Sequence, residues 1–183
     1  LVSQQMRISK PHLWSLSSPY LYKMTTELIE NGKVLDCDTT TIGIRTVHFD
    51  VAKGFFLNGE NIKINGVCLH GDLGCLGSAV NEDALHRQVI MMKEMGVNAI
   101  RCSHNPPSPE LLNLCDSLGV LVMDEAFDSW LQGKTPYDYS LYFKTWFERD
   151  LRDMVLRDRN HPSIVIWSIG NEVLQQWNKV DNK

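Results

Sequence analysis

No stretch of this 183-residue sequence is apolar for long enough to span a membrane, and no charged-then-apolar segment opens it. A membrane partner is therefore not expected, and cytoplasm and periplasm both stay open as locations. Cationic stripes are missing too. With a formal net charge of −4 and no clustered Lys/Arg face, the chain lacks the electrostatic footprint of a nucleic-acid binder. No CxxC pair occurs, and the five cysteines (Cys37, Cys68, Cys75, Cys102, Cys115) are an odd number at irregular spacings. That argues against a disulfide framework or a thiolate metal site, and for scattered buried thiols in a reducing compartment. A phosphate-binding Gly-rich fingerprint is also absent, since "HGDLGCLG" spaces its glycines wrongly for one.

What is present divides into two rhythms. Up to about residue 66 the chain reads as β structure. "YLYKMTTELIENGKVLDCDTTTIGIR" holds two strand-like runs joined at Asn31-Gly32, and "FFLNGENIKING" repeats the device at Asn58-Gly59; both dipeptides tolerate the positive φ of a tight hairpin turn. Short strands with frequent turns predict part of a sandwich. From about Ile62 the order becomes strand, helix, strand, helix. Strands are expected over 62–70, 97–103, 120–125 and 163–170. Helices are expected to start at Asn81 and Ser108-Pro109 and stop at Gly96 and Gly119, with a third over about 141–159. On that third helix, Glu148–Arg152 and Asp153–Arg157 stand at ion-pair spacing.

Each of the four expected strands ends in polar residues: His70 and Asp72, then Arg101, Ser103, His104 and Asn105, then Asp124 and Glu125, then Asn171 and Glu172. Polar residues at successive C-terminal strand ends predict the active face of a (β/α) barrel, with a doubly wound sheet as the other candidate. "SIVIWSIGNEV" poses the question most sharply, because it ends an apolar strand in an amide and a carboxylate.

The runs "GVNAIRCSHNPPSPELLNLCDSLGVLVMDEAFDSW" and "RDRNHPSIVIWSIGNE" resemble glycoside hydrolase family two, the β-galactosidase and β-glucuronidase family. "SPYLY…IGIRTVHFD…FFLNGENIKINGV" resembles its immunoglobulin-like sandwich domain leading into the barrel. The resemblance implies residues 1–52 as the end of an immunoglobulin-like β-sandwich domain. Residues 53–183 then form the N-terminal half of a (β/α)8 TIM barrel, strands one to four. It implies a retaining β-glycosidase with Glu172 as general acid/base and Asn171 bonding the sugar 2-hydroxyl. The nucleophilic Glu would lie on a later strand, outside this chain. His104 and His70 resemble positions near the sugar, although Gly71 stands where family members often carry a bulkier polar side chain. Trp130 is either a stacking platform for a sugar or a filler beneath a loop. Arg101 is expected to be a structural cation paired with Asp124 or Glu125. "DEAFDSW" resembles the galactosidase-like branch, so a β-galactoside is the expected carbohydrate substrate.

No cofactor is required by these residues; a divalent cation is admitted by family analogy alone, as is a homo-oligomer of the full-length parent. Two alternatives stand beside this reading. The chain by itself is a catalytically inactive fragment, or His70, Asp72 and His104 begin the metal site of a (β/α)-barrel hydrolase.

Overall fold

The structure, a computed structural model, describes residues 2–174. Its strands fall into three sheets. β1 (Tyr22–Glu30) and β2 (Lys33–Ile42) form an antiparallel ribbon, turned at Asn31 and Gly32 with φ of 51° and 77°. β3 (Val47–Asp50), β4 (Gly54–Leu57) and β5 (Glu60–Asn61) form an antiparallel meander, with a similar turn at Asn58 and Gly59. Among the described residues the ribbon is the only sheet before residue 46, so they supply no second layer for a sandwich there. The expected boundary between residues 52 and 53 falls in the turn that joins β3 to β4.

The third sheet has four parallel strands: β6 (Gly66–Leu69), β7 (Ala99–Cys102), β8 (Leu121–Glu125) and β9 (Ile164–Ser168). Their spatial order follows their chain order, joined through α1 (Glu82–Glu94), α2 (Pro109–Leu118) and α3 (Ser140–Asp158). A doubly wound sheet needs a reversal of strand order, and none occurs among these four.

The local signals act as expected at the helix ends. Asn81 accepts from the Ala84 N–H at 2.9 Å and Ser108 from that of Leu111, each satisfying a donor the first turn cannot pair. Gly119 ends α2 in the left-handed region, and a Cβ there would sit 2.4 Å from the Leu16 carbonyl oxygen, so glycine is required twice over.

All four expected strands shorten, the first the most. The first strand begins at Gly66 because Asn98 holds the preceding backbone by its side chain, accepting from Asn65 N and donating to the Lys63 carbonyl. The last ends at Ser168. The ion pairs expected on α3 are replaced as well. Arg157 turns to its neighbour Asp158, which is fully buried and needs compensation, and Arg152 meets Asp153. Of the cysteines only Cys102 and Cys115 are buried; Cys37, Cys68 and Cys75 are exposed, so buried thiols describe two of the five. None of the helices among the described residues is long and apolar enough to cross a membrane.

Two cores hold the sheet. Leu69, Ile100, Cys102, Val122 and Ile164 face the helices, where they meet Leu85 and Val89 of α1 and Leu111, Leu112 and Cys115 of α2. At the N-terminal ends of the strands, Ala99 and Leu121 pack against Trp14 and against Phe55 and Leu57 of the meander. This end is also locked by polar contacts. The Trp14 indole N–H donates to the Asp116 carbonyl at 2.7 Å, His161 Nδ1 meets the Asp116 carboxylate at 2.6 Å, and Arg45 reaches the carbonyls of Pro162 and Ile164.

Candidate active site

The opposite, C-terminal end of the sheet is where the polar strand ends converge. Glu125, at the tip of β8, is fully buried. A buried carboxylate must find donors, and Glu125 has four. Arg101 binds it two-pronged, Nε to Oε2 at 3.0 Å and Nη2 to Oε1 at 2.9 Å. The Ser168 hydroxyl donates to Oε2 at 2.8 Å, and His104 Nδ1 lies 2.8 Å from Oε1. Because the carboxylate only accepts, Nδ1 of His104 carries the proton in that contact.

Arg101 then extends the network across the sheet. Its Nη2 donates to the Asn171 side-chain oxygen at 2.8 Å, and the Asn171 side-chain nitrogen donates to Asp128 at 3.0 Å. Lys134 closes the far side, its ammonium 2.8 Å from Asp128 Oδ1 and 2.9 Å from the Asn171 carbonyl oxygen. Burial opposes ionisation of Asp128, but the hydrogen bonds from Lys134 and Asn171 outweigh it and hold its pKa below the ordinary carboxylate value. Burial likewise works against the charge on Arg101, and Glu125 more than restores it.

Of the residues singled out from the sequence, His104 and Asn171 are members of this network, and the His70 ring meets that of His104 edge-on at 5.3 Å between centroids. Arg101 pairs with Glu125 as one of its two expected partners. Asp124 does not join them, because successive strand residues face opposite sides, and its carboxyl is buried toward α3. Trp130 stacks on Phe143 at 5.7 Å and donates its indole N–H to the Ile169 carbonyl at 2.8 Å, at the turn that follows β9. Glu172 lies beyond that turn with φ of 43°, and it is exposed.

Asp72 is exposed and its carboxylate accepts from the N–H of Gly74 in a local turn. No group of three or more His, Cys, Asp and Glu among the described residues is arranged to hold a metal ion, so the donor set of the metal-hydrolase reading does not assemble. Three participants were not singled out as site residues from the sequence: Asp128, Lys134 and Ser168. Only the short polar spacing of "WLQGKTPYD" after a strand-end acid hinted at Lys134.

Residues 49–181 match the TIM barrel domain of glycosyl hydrolases family 2, and residues 1–45 match a second model of glycosyl hydrolases family 2. The β-galactosidase BoGH2A of Bacteroides ovatus is 58% identical over 175 residues, covering 96% of this chain and 21% of that protein. A family 2 member from Bacteroides cellulosilyticus superimposes with a TM-score of 0.89 at 48% identity, over 92% of this chain and 22% of its own. A β-glucuronidase from Parabacteroides merdae does so with a TM-score of 0.79 at 32% identity, over 97% and 21%. The chain thus spans about a fifth of the length of these relatives.

Proposed function

The chain belongs to glycosyl hydrolases family 2, and we propose that it carries the acid/base side of a retaining β-glycosidase site, with β-galactosides as the substrate class. The observation that carries the proposal is the hydrogen-bonded network running from His104 through Glu125 and Arg101 to Asn171, the residue directly before Glu172.

A glycosidic oxygen leaves poorly as an alkoxide, so an acid must protonate it as the bond breaks. Glu172 is that acid, and after the first half-reaction its carboxylate takes a proton from the attacking water. Asn171 is fixed on both sides, by Arg101 on its oxygen and Asp128 on its nitrogen. Its amide nitrogen keeps a second hydrogen for the sugar 2-hydroxyl, an interaction that strengthens as charge develops at the neighbouring carbon. His104 and His70 border the sugar pocket. The galactoside preference draws on the likeness to β-galactosidases; relatives named β-glucuronidases also match, so the branch is the finer part of the proposal.

Retention needs a second carboxyl about 5–5.5 Å from the first. Asp128 is engaged by Lys134 and Asn171, and Glu125 is buried under Arg101, so neither is free to attack an anomeric carbon. As the resemblance to the family implies, we assign the nucleophile to a residue on a later strand outside this chain, and the 183 residues alone are expected not to hydrolyse glycosides.

The test uses Glu172→Gln in a full-length protein carrying this chain. Glycosylation of substrates with poor leaving groups should slow by about 10²–10⁴-fold, while aryl β-galactosides with acidic phenols should lose far less. An equal loss across the leaving-group series would remove Glu172 from the acid/base role.

A further inference from the structure

The loop between β8 and α3 does more than connect them. Trp130 donates its indole N–H to the Ile169 carbonyl, and Lys134 donates to the Asn171 carbonyl. These two oxygens flank Gly170, where a Cβ would come within 2.7 Å of the Trp130 indole nitrogen. Thus one loop grips the turn before Glu172 at two points, on either side of a residue that must be glycine for the grip to close.

Lys134 makes the more consequential contact. The Asn171 carbonyl and the Glu172 nitrogen belong to one rigid peptide plane. Clamping that oxygen fixes the axis about which the φ of Glu172 turns, and so the direction in which its side chain leaves the backbone. Glu172 adopts φ of 43°, which a residue with a Cβ rarely does and which persists only when its surroundings impose it. The lysine is itself held. Its backbone N–H and that of Thr135 both donate to Asp138 Oδ2, at 2.6 and 3.0 Å, while Ser140 N donates to Oδ1 at 3.0 Å. Its side chain is only 20% exposed and lies against Asp128, which bonds the Asn171 amide as well. Backbone and side chain of Asn171 are therefore gripped by one Lys–Asp pair.

We propose that Lys134 is a positioning residue that aims the Glu172 carboxyl at the glycosidic oxygen. This rests on the assignment of Glu172 as acid/base. Removing the ammonium frees the 171–172 peptide plane, so protonation of the leaving group suffers while the pocket for the sugar stays in place.

The experiment measures glycosylation rates over a series of β-galactosides, from acidic phenols to alkyl alcohols, in a full-length protein carrying this chain. Lys134→Met should slow the alkyl and weakly acidic substrates by about 10²-fold and the acidic aryl ones by less than about fivefold, steepening the leaving-group dependence. Lys134→Arg, which keeps a charged donor, should recover most of that loss. Asp128→Asn leaves the ammonium on the Asn171 carbonyl and should steepen the dependence far less than Lys134→Met. If Lys134→Met fails to fold, Lys134→Gln takes its place, with the same steepening expected at smaller size. A uniform loss across the series, or an Asp128→Asn effect equal to that of Lys134→Met, would overturn the proposal. Glu172→Gln run in parallel separates the two layers. If it shows the leaving-group dependence and the Lys134 variants do not, only the role of Lys134 fails; if it shows none, the acid/base assignment fails first.

Discussion

The two ends of the parallel sheet are made from the same four strands and solve opposite problems. At the N-terminal end the first residues of β7 and β8, Ala99 and Leu121, are buried under Trp14, Phe55 and Leu57, and Arg45, Asp116 and His161 tie the surrounding chain together by hydrogen bonds. At the C-terminal end the last residues of the same strands carry Arg101 and Glu125, and a chain of ionised and polar groups runs across to Lys134. An apolar plug gains from every contact it makes and tolerates little exposure. A charged network must instead satisfy each buried group or lose several kcal/mol. What the contrast teaches is a division of labour: one end supplies stability so that the other can hold charges near water, in the geometry chemistry needs.

Breaking each end separately tests that division. Trp14→Ala removes a fully buried indole and its hydrogen bond to the Asp116 carbonyl. It should cost about 3–5 kcal/mol, seen as a lower thermal midpoint, and leave the leaving-group dependence of any remaining activity unchanged. A change in that dependence would show that the plug reaches the chemistry. Arg101→Met attacks the other end. It strands Glu125, which is fully buried, but the Arg101 side chain is 30% exposed and water can partly take its place. The loss of stability should be about 2–3 kcal/mol, and turnover should fall even at temperatures where the variant is fully folded. If only stability falls, Arg101 is a packing cation and the contrast between the ends weakens.

How much of this was legible in the sequence follows the same line. Local devices could be read directly. The Asn-Gly turns, the Asn81 and Ser108 caps and the Gly119 stop each depend on a few adjacent residues. That His104 and Asn171 gather at one edge was legible through polar residues recurring at successive strand ends. Contacts over long separations were not. Trp14 packs beneath residues about a hundred positions later, and Lys134 reaches a carbonyl 37 residues on through a flexible side chain that no periodicity marks. Asp124 shows a different kind of miss. Alternation along a strand already puts it on the face opposite Glu125, so grouping the two acids disregarded the period of two.

That misplaced acid offers the smallest and sharpest test, because it lies at the reactive end yet faces the packing side. Asp124 is fully buried, and neither of its carboxyl oxygens finds a donor among the described residues. Its neighbour Asp158 is also an acid, fully buried and bound by Arg157, so the two can share a hydrogen bond only if one is protonated. Burial, then the charge of Asp158, push the Asp124 pKa up to about 7, against smaller opposing effects of Arg157 and His161. In the unfolded chain this carboxyl titrates near 4. Between pH 4 and 7 the folded protein therefore binds more protons at this site than the unfolded one, and stability falls as pH rises through that window. The contribution is whole below pH 4 and spent above pH 7, the reverse of a salt-bridged aspartate. Asp124→Asn provides a permanent donor to Asp158 and removes the titration. It should raise stability at pH 8 by on the order of 1–2 kcal/mol relative to the parent, with the gain shrinking steadily toward pH 4. Thermal midpoints of both proteins across that range measure it. A difference that stays flat with pH would mean that Asp124 does not take up a proton on folding, and that the reactive end keeps two ionised acids buried beside each other with Arg157 between them.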